Sequence, residues 1–140
     1  MAKKKGGIKA GTTVNIVVGD SANGQYLSYV VDGQAFTGDV FLHPGEQITY
    51  VCDHPFVLSL TGFSPMFVPG HGVDNPGGAP QSPFDGFTFV SDSNNRRDLR
   101  VRGGGGGSGP RPLKGSYKYS LVVTPPNVPP VPDDPQIIIQ

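Results

Sequence analysis

The chain has 140 residues, including 21 glycines, 15 prolines and a single cysteine, and its formal net charge is zero. This length suits one domain. The glycines follow no three-residue period, which excludes a collagen, and the lone Cys52 excludes a disulfide-stapled scaffold. No run of about 18 apolar residues occurs, so no membrane-spanning segment and no membrane partner are expected.

Alternating apolar residues predict about eight short strands between Gly- and Pro-rich turns. Asp32-Gly33 is a hairpin dipeptide, Gly38 interrupts the third strand, and Pro44-Gly45 ends it. No window has a helical period, so the predicted fold is all-β: an antiparallel β-sandwich of immunoglobulin-like or jelly-roll-like type. The predicted strands are 12–18, 25–31, 35–42, 47–52, 56–60, 86–90, 98–102 and 116–123.

The expected domain organisation has three parts: a flexible basic arm at 1–11, the sandwich at 12–124, and a proline-rich strut with a terminal strand at 125–140. The basic start runs into Gly6-Gly7 rather than an apolar core, so no signal peptide is expected. We therefore expect synthesis in the cytoplasm, followed by incorporation into a virion or another assembly if the protein assembles.

The charges are segregated along the sequence. Residues 10–95 contain eight acids and no lysine or arginine, whereas the basic residues lie in the first nine positions and in a late segment. Opposite charges on one chain favour head-to-tail association, unless folding mixes the segments in space. The late basic patch consists of Arg96, Arg97, Arg100, Arg102, Arg111 and Lys114.

Two segments are candidates for self-association. The long loop 62–85 carries apolar residues in numbers unusual for a solvated loop, and the terminal isoleucines must pair in their own sheet or with the open edge of a neighbour. Between them, 124–132 should form stiff polyproline II, and the Gly103–Gly109 run is either a natural hairpin tip or an engineered linker. The candidate association residues are Phe63, Met66, Phe67, Val68, Ile137, Ile138 and Ile139.

An alternative hypothesis is a cupredoxin-like metal site. His43, Cys52, His54 and Met66 are the residue types of a blue-copper centre, and the fold class fits. Their spacing differs from the single late loop that usually supplies Cys, His and Met. The opposing expectation is a buried, structural Cys52 beside surface histidines, with no cofactor.

A second alternative is a nucleic-acid-binding module that uses the basic segments. The arginines precede a flexible glycine run, which resembles Arg-Gly tracts, but no aromatic residue is interleaved to stack on a base. Contacts from these residues would be weak and sensitive to salt.

The late part of the chain resembles the DP-EP family of small bacterial proteins. The residues that carry the resemblance are the alternating segment Tyr117–Val123 and the later Asp134-Pro135-Gln136-Ile137-Ile138, with a looser match at 89–92. The match covers the last third of the chain, and the glycine run and the proline strut depart from the family pattern. The resemblance implies an immunoglobulin-like sandwich and brings no catalytic residue.

Reactive side chains are scattered singly, with no nucleophile elbow and no paired carboxylates, so the sequence does not indicate an enzyme. The function we expect is that of a non-enzymatic structural protein that self-associates, as a homo-oligomer, or decorates a virion- or filament-type assembly.

Overall fold

The computed structural model describes residues 6–65, 67–68, 72–73, 82–103, 112 and 114–140. Within these ranges the chain forms strands and turns only, and no helix there could span a membrane. The strands are β1 (Ile8–Lys9), β2 (Thr13–Ser21), β3 (Gly24–Val31), β4 (Gln34–Phe36), β5 (Val40–Leu42), β6 (Gln47–Cys52), β7 (Phe56–Pro65), β8 (Phe67–Val68), β9 (Gly72–Val73), β10 (Thr88–Val90), β11 (Arg96–Arg100), β12 (Gly115–Val123), β13 (Val131–Asp133) and β14 (Gln136–Ile139).

The prediction of an all-β sandwich is confirmed, since two sheets pack against each other. The sheets are mixed rather than purely antiparallel. Three pairs run parallel: β1 with β5, β5 with β14, and β2 with β6. Each of these pairs joins strands that are not consecutive in the chain, which local sequence patterns do not report.

The larger sheet has the order β1-β5-β14-β12-β7-β10, with β13 also pairing with β12. β12 is its central strand: it pairs with β7 on one side and with β13 and β14 on the other. The register shifts between Lys118 and Tyr119, where the Thr61 hydroxyl donates to the Lys118 carbonyl at 3.1 Å. The sheet therefore offers a broad outer face built around one long strand.

The smaller sheet has the order β11-β6-β2-β3-β4. Its predicted hairpin is confirmed: β3 and β4 pair antiparallel around Asp32 and Gly33, whose φ angles are 50° and 77°. Both angles are left-handed, as a two-residue turn between right-twisted strands requires.

Alternation along each strand places one set of side chains between the sheets. The largest fully buried side chains include Tyr50 of β6, Phe56 of β7, and Tyr117 and Tyr119 of β12. Burial of an apolar side chain of this size contributes on the order of 2 kcal/mol, and the same core contains aliphatic side chains from both sheets.

The predicted arm ends earlier than residue 11. Ile8 and Lys9 form β1, which pairs with Val40 and Phe41, and Ile8 is 1% exposed. Burial of this isoleucine between the sheets is what anchors the segment; residues 1–5 lie outside the described part.

The predicted straight polyproline strut is corrected. The chain turns at Pro126-Asn127, where Asn127 has a φ of 62°, and folds back so that Val131 pairs with Val123. A free polyproline segment has no internal backbone hydrogen bonds, whereas pairing with β12 supplies hydrogen-bond partners for its backbone. The same pairing buries the Val131 side chain. The segment 125–140 is thus part of the sandwich.

The predicted long loop 62–85 is also corrected at both ends. β7 continues to Pro65, and Phe84 is 2% exposed, with its ring centroid 5.8 Å from that of Phe89 and 6.3 Å from that of Tyr119. These ends of the segment belong to the core and the sheet.

A side-chain hydrogen bond joins the two sheets at one side of the sandwich. The buried Tyr29 of β3 donates from its hydroxyl to the Asp133 carboxylate of β13. The Tyr50 hydroxyl, by contrast, is buried without a hydrogen-bond partner among the described residues.

Two conservative variants should therefore change stability in opposite directions. Tyr29→Phe removes the donor to Asp133 Oδ2, although the Asp134 N–H still donates to Oδ1, and should cost about 1–2 kcal/mol. Tyr50→Phe removes a buried, unpartnered hydroxyl and should be neutral or stabilising by about 1 kcal/mol. Urea unfolding of both variants beside the parent checks this; equal destabilisation would contradict it.

Candidate association surface

The structure does not assemble the predicted copper site. His43 follows β5 and is exposed, with its Nδ1 atom 3.1 Å from Glu46 Oε1. Cys52 lies at the other end of β6, about 16 Å along the strand. His54 lies in the bend after that strand, and Met66 lies outside the described residues. The described parts of the chain contain no group of three potential metal ligands.

Cys52 is only half-buried, which corrects the expected burial. It shares the inward side of β6 with Ile48 and Tyr50 and packs partly against the core, at the last residue of the strand. Burial raises the pKa of the Cys52 thiol, more than the backbone N–H groups of His54 and Asp53 lower it. The raised pKa disfavours a reactive thiolate.

The predicted basic patch is divided between surfaces. Arg96 and Arg100 lie on the outward side of β11, whereas Arg97 lies on the other side with its guanidinium 5.2 Å from the centre of the Phe89 ring. Asp98 stands between the two outward arginines, and its carboxylate is 3.4 Å from Arg96 Nε.

The arginines also serve internal contacts. Arg100 donates to the Gly45 carbonyl and to Gln47 Oε1, both at 2.9 Å, and Arg102 Nε donates to the Ser82 carbonyl at 2.8 Å. Lys114 is exposed just before β12, and Arg111 lies outside the described residues. Arg100 and Arg102 thus contact uncharged groups of the preceding part of the chain, and Arg96 pairs with Asp98 of its own segment.

The terminal isoleucines pair within the chain. β14 lies between β12 and β5, and both Ile137 and Ile139 are fully buried, so they are not available to a neighbour. Ile138 points to the opposite, outer side and is half-buried. The within-chain alternative is therefore the one that the structure shows.

Of the predicted association residues in the long loop, Phe63 packs on the core. Its ring centroid is 4.6 Å from that of Tyr117, and it is partly buried. Phe67 and Val68 form β8, which pairs with β9. Met66 lies outside the described residues.

The surface best suited to association is the side of the larger sheet that points away from the core, which we call the outer face. It consists of the outward-pointing residues of β5, β7, β10, β12, β13 and β14. At one level Val122 lies beside Val57, which lies beside Val90, so three valines form a row across three strands. Val90 is 57% exposed, and Val57 and Val122 are half-buried.

Small polar residues form the next row. Ser120 lies beside Ser59, and Ser59 beside Thr88, on the same three strands. At the far side of the face, Phe41 is 36% exposed and lies beside Ile138. Short side chains occupy this row, and apolar groups remain open to solvent on both sides of the sheet, at Val90 and at Phe41.

The sequence contained a signal for this face. The strands that bury Leu58, Phe89 and Leu121 on one side also carry valine on the other, whereas a solvated sheet face is usually polar. Only the register aligns these valines in one row, and the pattern of a single strand does not reveal the register.

The fold places the protein in the class of β-sandwich proteins. No protein-family model matches the chain, and the search of curated proteins finds no match. The resemblance of the last third of the chain to the DP-EP family stays a prediction.

Proposed function

We propose that the protein is a non-enzymatic structural or interaction protein that self-associates or decorates a larger assembly of the virion or filament type. The observation that supports this is the outer face of the larger sheet, where Phe41 and Val90 remain exposed beside half-buried apolar neighbours. A sheet face that exposes apolar side chains favours contact with another protein, whereas a small ligand needs a concave site.

The reactive side chains support the same proposal. Cys52 has a raised thiol pKa, and His43 is exposed and contacts Glu46 at the opposite end of β6. The raised pKa disfavours a thiolate nucleophile, and His43 is too far from Cys52 to act as its base; the contact that His54 makes with the thiol is through its backbone N–H.

Sedimentation velocity and light scattering over a wide concentration range test self-association. The weight-average mass should rise with concentration above that of one chain, with little effect of added salt, because the contact is mainly apolar. A mass that stays at that of the monomer throughout would contradict self-association.

A further inference from the structure

We infer that the outer face binds the same face of a second copy of this chain, so that two sandwiches stack sheet on sheet. The inference rests on the proposed function and names its partner. The outer face is the one formed by β5, β7, β10, β12, β13 and β14, with the valine row Val57, Val90 and Val122.

The size of the face lies at the lower limit for a specific contact. β12 and β7 pair over nine registered positions, and strands on both sides widen the surface. Strand spacing gives a width of about 24 Å, and strand rise gives a length of about 27 Å along β7 and β12. Because β5 and β10 have only three residues each, a copy would bury about 500 Å², or about 1,000 Å² in total, which is the smallest area expected of a specific interface.

The chemistry of the face matches the centre of an interface. The valine row and the neighbouring row of Ser59, Thr88 and Ser120 carry no charge, whereas Lys118 is exposed further along β12 and Lys9 of β1 lies beside Phe41. The two uncharged rows match the charge-depleted centre of a protein interface, and both lysines lie outside them. Valine side chains are best buried against other apolar side chains, and a second copy presents a valine row of the same length.

Twofold symmetry makes the match self-consistent. If the axis runs parallel to the strands and passes over β12, each row meets its own copy: valines meet valines, and the row of Ser59, Thr88 and Ser120 meets the same hydroxyls. Lys118 then lies opposite Lys118 of the second copy, and this like-charge contact opposes association. The zero net charge of the chain adds no long-range repulsion between copies.

The test compares matched lysine substitutions on the two sheets. Val122→Lys puts a charge into the valine row, and association should weaken by at least about tenfold. The control is Val17→Lys, because Val17 is 42% exposed and lies on the outward side of β2 in the smaller sheet. Association of the control should match that of the parent, by sedimentation at equal concentrations.

A charge-complementation experiment tests the face-to-face arrangement itself. Val122→Lys and Val122→Glu should each be weakened, and an equimolar mixture of the two should regain association, since opposite charges then meet across the stacked rows. Circular dichroism and thermal unfolding confirm that each variant is folded. If Val122→Lys does not fold, Val90→Lys replaces it, because Val90 is more exposed.

The outcomes separate this inference from the proposed function. A parent chain that is monomeric at all concentrations would contradict both. A parent that associates, with Val122→Lys unchanged or Val17→Lys equally weakened, would overturn the inference and leave self-association standing. Weakened single variants whose mixture stays monomeric would exclude an arrangement in which Val122 meets Val122 of the second copy.

Discussion

Deletion of residues 136–140 should abolish cooperative folding, even in dilute solution. The deleted strand β14 is internal to the sheet, between β12 and β5, and Ile137 and Ile139 are fully buried. Loss of each buried isoleucine lowers the free energy of unfolding by about 2–5 kcal/mol. The backbone hydrogen bonds from β14 to β12 and β5 are lost as well. This sum is comparable to the whole stability of a typical domain, about 5–15 kcal/mol. Urea unfolding followed by circular dichroism measures the effect.

Single substitutions in the same strand supply the matched comparison. Ile137→Ala should destabilise by about 2–5 kcal/mol, whereas Ile138→Ala should cost less than about 1.5 kcal/mol because Ile138 is half-buried on the outer face. A truncated chain that unfolds with the same midpoint as the intact one would show that β14 contributes nothing to the fold.

Stability should fall steeply as the pH rises above about 10, the ordinary tyrosine pKa. Burial raises the pKa of Tyr29, Tyr50 and Tyr119, and at Tyr29 the hydrogen bond to the Asp133 carboxylate raises it further. The folded chain therefore keeps three protons that the unfolded chain releases above that pH. The stabilisation is fully present below it, and each tyrosine removes about 1.4 kcal/mol per further pH unit.

The free energy of unfolding, measured in urea over a series of alkaline pH values, should fall by about 4 kcal/mol per unit once all three contribute. Tyr50→Phe is the control, since it should reduce this slope by about a third. Ionisation of the buried tyrosines, followed by tyrosinate absorbance, should coincide with unfolding. Their ionisation in a chain that stays folded would contradict the explanation.

Much of the fold was predictable because local patterns carry it. Alternation located most of the strands, and Asp32-Gly33 identified a turn whose left-handed angles the structure shows. The fourth predicted strand has the same bounds as β6. Each of these predictions depends on residues that are neighbours in the chain, so no knowledge of tertiary contacts was needed.

The candidate site was less predictable. The residue types of a copper centre suggested that His43 and Cys52 could meet, but β6 separates them. The burial of Cys52 also depended on where its strand ends, because the end of the strand sets how many neighbouring residues cover the thiol. Distances of this kind are set by strand pairing, which composition and spacing do not report.

By itself, the sequence determined an all-β chain, the inward side of most strands and the extended conformation of the terminal isoleucines, because side-chain alternation and β-branching act locally. Only the tertiary structure decided that β14 pairs within the chain, between β5 and β12, and that the proline-rich segment turns back onto β12. The tertiary structure also decided that Val57, Val90 and Val122 form one row. These outcomes depend on which distant strands pair and in which register, and that choice is made by the burial of the whole core.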